Sequence, residues 1–219
     1  VLKKYEWNDK RFYEKKDENL KRYDKAFKEV GNYMKIILNT LKELEIYDDS
    51  IVIFFSDHGT GIGERFGERN YGSFTYEETI RTFYLFISKN IKNGRISEKL
   101  RATIDIFPTI LDLVKIDNNL ELPGESFVDY LLGNSNELKE KPHTFSDTGA
   151  LHGLYPSPEK SNVFCIKTPT HKLMYLDSPK QWKFFDLIKD PNERENKYGS
   201  DLETEKKLKI RLKEFIDDR

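Results

Sequence analysis

At Asp57-His58 a carboxylate stands beside an imidazole, directly after the apolar run Ile51 to Phe55 and directly before Gly59. These are two ligand types that suit a divalent ion such as zinc, manganese or iron. Neighbouring residues within a strand point to opposite faces, but where a strand ends the chain turns and both side chains can converge on one ion. Asp-His-Gly is also an ordinary turn sequence, so the pair alone leaves a metal site and a plain turn both open. A loop with Gly61, Gly63, Gly67 and Gly72 follows. Open α/β sheets bind ligands just beyond the carboxyl ends of their strands, which is where this pair falls.

The remaining histidines, His143, His152 and His171, are each isolated in sequence. A lone histidine is usually a surface or satisfied structural residue, although its ordinary pKa suits general acid work. His152 leads among them, because it sits in the Thr148 to Gly153 loop and substrate contacts often ride on loops. Lys172 reads as a structural or pocket-rim residue, with a catalytic role as the alternative. Cys165 is the only cysteine, which excludes an intrachain disulfide and a cysteine-based structural zinc site, and its surroundings suit a buried small apolar residue rather than a nucleophile. Phe54, Phe55, Phe107, Phe184 and Phe185 lie within apolar runs, so core packing is preferred to a platform for sugar rings.

The elements that must position these groups follow from periodicity. Apolar residues from Tyr23 to Ile46 recur at steps of three and four, which predicts an amphipathic helix over about 17–44. After the polar break at Tyr47 to Ser50, Ile51 to Phe55 reads as a strand buried on both faces, and hence as part of a parallel or mixed sheet. A short helix near 76–80 and a second strand over 83–87 come next. Ile104, Phe107, Ile110, Leu111 and Val114 mark another helix with Pro108 in its first turns, capped by Asp105 or Thr103. A turn at Pro123 to Glu125 precedes a short helix over 126–132, and the polar stretch 133–141 reads as a linker, with a domain boundary near Gly133. Short extended segments at 144–146, 163–167, 173–176 and 184–187 predict a small antiparallel sheet, and Leu202 to Ile216 a closing helix.

Bulk composition narrows the function. With 37 Lys and Arg against 38 Asp and Glu, the net charge of −1 supplies no field to recruit a polyanion, so nucleic acid is not an expected partner. The charges of Lys3 to Lys25 alternate in sign, as on a solvated helix face. No stretch approaches the roughly 20 apolar residues of a membrane span, and the opening residues lack the apolar core of a signal peptide. Compartment is left open. The sequence opens on Val, so a further N-terminal segment is expected before it.

Read in order, the blocks "LKELEIYDDSIVIFFSDHG", "GERFGERNYGSFTYEETIRTF", "TIDIFPTILDLVKI", "GESF", "HKLMYL" and "WKFFDLIKDPNERENKY" resemble the sulfatases of the alkaline-phosphatase superfamily, from mid-chain to the end, over about residues 20–200. That resemblance implies an α/β fold: a partial alkaline-phosphatase-like mixed or parallel sheet flanked by helices over 1–133, then a small antiparallel sheet with a closing helix over 134–219. It implies a hydrolase of sulfate esters, with a Ser or Cys nucleophile converted to formylglycine beside a divalent cation. The family's strand-end Asp and the Asn or His after it are metal ligands, a role that passes to Asp57 and His58. Calcium, manganese and zinc are the candidate ions, and an imidazole in the second place tilts the choice toward manganese or zinc.

Two departures from the family pattern stand out. Its remaining pair of Asp ligands and its Cys/Ser-x-Pro-x-Arg motif have no counterpart here, since Cys165 to Pro169 and Ser157-Pro158 both have the wrong pattern, so the nucleophile is expected outside this chain. The lysine that many members place before the "YEE" block is also missing. Arg65, Arg69 and Arg81 are the nearby candidates to hold the substrate anion, with pairing to Glu64, Glu68, Glu77 or Glu78 as the alternative. The expected substrate is a sulfated or phosphorylated small molecule or glycan. His58 and the missing lysine make a phosphodiesterase or phosphonate-ester hydrolase the second reading, and a non-catalytic interaction module is the third. A sheet without its first strands would expose apolar surface, which predicts an oligomer or a complementing segment.

Overall fold

The computed structural model describes residues 10–66, 68, 74–92, 94, 96–117, 119–149, 161–177 and 180–218. A short α1 (Lys10–Glu14) leads into the long α2 (Lys16–Glu43), within a residue of the expected bounds. Asp17 and Glu18 occupy the first turn of α2, where a carboxylate favours the partial positive charge of a helix N-terminus. The helix is amphipathic as its spacing predicts. Nevertheless none of its residues is buried, and Tyr33 is 66% exposed.

β1 (Val52–Phe55) pairs antiparallel with β2 (Tyr84–Ile87), in the register Val52 opposite Ile87 and Phe55 opposite Tyr84. The fold class is α/β as expected, but both sheets among the described residues are antiparallel. The reason lies in the connection. A parallel return needs a crossover as long as the strand, usually a full helix. Among the described residues of the link the one α-helix is the four-residue α3 (Glu77–Ile80), and the chain leaves and re-enters at the same end of the strand pair. Nor is β1 buried on both faces: none of its residues is fully buried, and Phe55, at the end of the strand, is 53% exposed although it shares a face with Ile53. Beneath the pair, Phe86 and Ile91 pack with Ile106 of α4 (Ile106–Leu113) and Leu131 of α5 (Val128–Leu132). Pro108 is the third residue of α4, where its missing N–H breaks no intrahelical bond.

The C-terminal part is a four-stranded antiparallel meander in the order β3 (Thr144–Thr148), β4 (Val163–Lys167), β5 (His171–Asp177) and β6 (Lys180–Asp186), as the spacing of short extended segments predicts. It is covered on both faces, which is why β4 and β5 are so continuously apolar. On one face Val163, Cys165, Met174 and Phe185 pack against Tyr76, Phe74 and Ile80. On the other, Ile166, Leu173 and Phe184 pack against Leu208 and Leu212 of α6 (Leu202–Asp217), whose N-cap Asp201 accepts the Thr204 N–H at 3.1 Å. Phe184 and Phe185 are core residues as expected, but Phe55, at the end of β1, and Phe107, on α4, are about half exposed. Among the described residues no helix is long and apolar enough to cross a membrane.

Candidate metal site

The turn that ends β1 brings Asp57 and His58 together. The Asp57 Oδ1 accepts the His58 N–H at 2.9 Å, and the other carboxylate oxygen, Oδ2, lies 3.6 Å from His58 Nε2. His58 Nδ1 is 2.7 Å from the Gly59 carbonyl oxygen. With the ring hydrogen on Nδ1 that contact is a donated hydrogen bond, which orients the ring and leaves the Nε2 lone pair beside the Asp57 carboxylate. Two ligands held about 2.1 Å from one zinc-like ion stand roughly 3 to 3.5 Å from each other, and the observed 3.6 Å separation lies just beyond that range, so a small closure would let both reach one cation. Asp57 is 81% exposed and His58 39%, so both can be reached from solvent.

The turn rests directly on α3. The Gly59 N–H donates to the Thr79 carbonyl at 2.8 Å, and a Cβ at Gly59 would lie 2.4 Å from the Glu78 carbonyl oxygen. Only glycine permits that approach. Asp57 and His58 open onto a cleft of about 1460 Å³ that also takes in Glu77, Arg81, Lys167 and Asp147. Among the described residues no cluster of three or more His, Cys, Asp or Glu side chains could hold a metal ion, and Asp57 with His58 makes a pair of candidate ligands.

Other residues singled out from the sequence have different settings. Arg65 stacks 3.6 Å above the Tyr76 ring while its three nitrogens donate to Glu78 Oε1, the Glu193 carbonyl and the Asn192 carbonyl, at 3.0, 2.8 and 2.9 Å. The guanidinium is therefore committed to fastening two stretches of chain. Lys172 is fully buried, ion-paired to Glu193 and, at 3.6 Å, to Glu77, and donates to the Thr75 carbonyl at 2.9 Å. It does not line the cleft that holds Asp57 and His58. Arg69 and His152 lie outside the described residues. His143 packs its ring 5.1 Å from Phe145, and burial, with Arg211 and Lys141 nearby, pushes its pKa down. His171 stacks on Phe184 and meets Thr170 Oγ1 at 2.8 Å. Cys165 is wholly buried and its thiol is pushed up by burial, as suits a packing residue.

Sequence reasoning passed over Glu77 and Lys167 as a pair. Lys167 Nζ donates to both Glu77 carboxylate oxygens at 2.7 Å, at the rim of the same cleft. Ninety residues separate the two, so no local pattern could have joined them.

Comparison with known proteins extends these observations. A family model described as Sulfatase matches residues 2–116, and one described as N-sulphoglucosamine sulphohydrolase, C-terminal, matches residues 67–218. N-acetylglucosamine-6-O-sulfatase of Bacteroides thetaiotaomicron is 29% identical over 170 residues, covering 74% of this chain and 29% of that protein. A structure solved with its substrate D-glucosamine-2-N,6-O-disulfate matches with a TM-score of 0.66 at 25% identity, over 83% of this chain and 37% of that one. A phosphonate monoester hydrolase of Silicibacter pomeroyi shares the fold, with a TM-score of 0.61 at 21% identity over 87% of this chain and 38% of its own. The chain thus spans about a third of the length of these proteins. Such neighbours support a partial alkaline-phosphatase-like α/β fold. The two family models overlap over residues 67–116 and together span residues 2–218, and on that ground the chain belongs to the sulfatase family.

Proposed function

We propose that this chain is the C-terminal part of a metal-dependent hydrolase of sulfate esters, in which Asp57 and His58 supply part of a divalent-metal site. The observation that supports this most directly is the convergence of the Asp57 carboxylate and His58 Nε2 where β1 ends. A bound cation would act as a Lewis acid on the ester oxygens. The chain's own part is to hold two ligands in place: Gly59 fixes the imidazole through its carbonyl, and the turn is seated on α3. In this reading the formylglycine nucleophile and the further carboxylate ligands come from outside these residues. Residues 1–133 then belong to the catalytic α/β domain and 134–219 to a smaller subdomain. The similarity to an N-acetylglucosamine-6-O-sulfatase and to a protein that binds a glucosamine disulfate supports a sulfated sugar or glycan as substrate. Manganese or zinc suits the imidazole better than calcium does.

A phosphonate- or phosphodiester-hydrolase activity is the second reading, favoured by His58. The test offers 4-methylumbelliferyl sulfate and the monoester p-nitrophenyl phenylphosphonate side by side to the longest natural polypeptide containing this chain, with Mn²⁺ or Zn²⁺ added. Sulfate ester should be preferred, and Asp57→Ala and His58→Ala should each lower its turnover by roughly 100-fold or more, at or beyond the cost of losing a ligand's supporting partner. Preferred cleavage of the phosphonate would select the second reading. Metal-independent inactivity toward both would leave the protein a non-catalytic interaction module.

A further inference from the structure

We infer that Glu77 is a positioning residue for the Asp57–His58 turn, through which the C-terminal sheet sets the geometry of the site. The inference rests on the metal reading above. It starts from the contact between the turn and α3: Gly59 donates to Thr79, and the close approach to Glu78 and Arg81 carbonyls leaves no room for anything between the two backbones. Wherever α3 goes, the turn must follow.

A helix of four residues cannot hold itself in place, because a single turn fixes many dihedrals for few hydrogen bonds. Ile80 packs the far end of α3 into the sheet core, and its first residue carries the polar grip. The Glu77 N–H donates to Glu193 Oε2 at 3.0 Å. Its carboxylate is gripped by Lys167 from β4 at 2.7 Å and approached by Lys172 from β5 at 3.6 Å. Lys172 in turn pairs with Glu193, so two strands of the C-terminal sheet and the segment that follows β6 meet at the start of α3. Arg65 ties Glu78 to the carbonyls of residues 192 and 193 from the other side. These groups are largely withdrawn from water, where ion pairs with several hydrogen bonds have one geometry rather than many.

A network that merely holds two parts of the chain together would alter stability and leave the site alone. Metal affinity separates the two roles. We would measure Mn²⁺ binding by electron paramagnetic resonance, well below the melting temperature, in the longest natural polypeptide containing this chain and in Asp57→Ala, Glu77→Gln, Lys167→Met and Leu212→Ala variants. Leu212 packs on the opposite face of the sheet, so its loss reports stability alone. Glu77→Gln and Lys167→Met should each raise the Mn²⁺ Kd about 10-fold or more, Lys167→Arg should recover most of it, and Leu212→Ala should stay within about twofold despite a lower Tm. Lys167 is at the partly open rim, so its variant keeps the test alive if Glu77→Gln does not fold. A Kd unchanged in both, with binding lost in Asp57→Ala, would overturn the positioning role alone. Binding unchanged in Asp57→Ala would overturn the metal reading and this inference with it.

Discussion

At Asp105 one carboxylate holds three stretches of chain. It is completely buried, its Oδ2 accepts the Ala102 N–H at 3.0 Å and lies 3.0 Å from Arg101 Nε, while Oδ1 accepts the Glu125 N–H at 2.8 Å and lies 3.3 Å from Lys141 Nζ. Gly124 is packed so tightly here that a Cβ would fall 2.0 Å from the Ile104 carbonyl oxygen, which fixes the approach of Glu125. Removing the carboxylate would leave Arg101 and Lys141, both nearly covered, with only the half-exposed Glu125 carboxylate, at 3.7 and 3.4 Å, as a charged partner. Asp105→Ala should therefore lower stability by about 3 to 5 kcal/mol. Urea unfolding at neutral pH checks this, and a loss under about 1 kcal/mol would show that water or rearrangement replaces the carboxylate. From sequence, Asp105 or Thr103 could cap α4; Asp105 holds the N-cap position, but its side chain turns back to Ala102 instead of to the helix. The Asp57–His58 pair was legible because adjacency and a strand end are local facts. Arg101, Lys141 and Glu125 around Asp105 were not, because folding alone brings Lys141 to that carboxylate.

At the scale of elements, the grip of the C-terminal sheet on α3 has a pH signature. Burial by itself would raise the Glu77 carboxyl, but Lys172 and Lys167 overcome it and hold the pKa below its ordinary 4.5. A carboxyl depressed on folding stabilises the fold above about pH 4.5 and loses that contribution as pH falls toward the folded value. Lys172 behaves in the mirror sense. Burial pulls it down, yet Glu193, Cys165 and Glu77 carry it above 10.5, so its contribution is whole below pH 10.5 and lost as pH rises beyond. Glu193, pushed up chiefly by burial, opposes Glu77 and softens the acid limb. Urea midpoints should fall below about pH 4.5, and Glu77→Gln should flatten that fall while lowering stability at neutral pH. An acid limb as steep in the variant as in the parent would assign it to other carboxylates. The elements themselves were largely readable: α2 and α6 follow from a period of 3.6, and the four short strands from extended segments set between turn residues. Strand direction was not, since Ile51 to Phe55 reads alike whether both faces are covered or one is bare.

For the whole molecule the bare faces matter most. α2 presents Tyr23, Phe27, Val30 and Ile37 to solvent along 28 residues, touching the rest of the molecule through contacts such as Phe27 with Phe83, whose ring centroids are 6.0 Å apart. Phe55 and Leu85 of the β1–β2 pair are exposed as well. Apolar stripes of this length rarely face water in a stable monomer. The helix was recognised by its apolar periodicity, which predicts a buried side but cannot say what buries it. Because these residues match only about a third of the proteins they resemble, a covering element or a second copy is the natural complement. The 219-residue chain alone should therefore sediment as an oligomer at micromolar concentration, and Val30→Glu with Ile37→Lys should shift it toward monomer. Neither residue takes part in the network at Glu77, so the circular-dichroism spectrum and the urea midpoint of the C-terminal sheet should stay as they were. A parent chain that remains monomeric at high concentration would mean that α2 is folded back or content in water, and that its exposed stripe is not an interface.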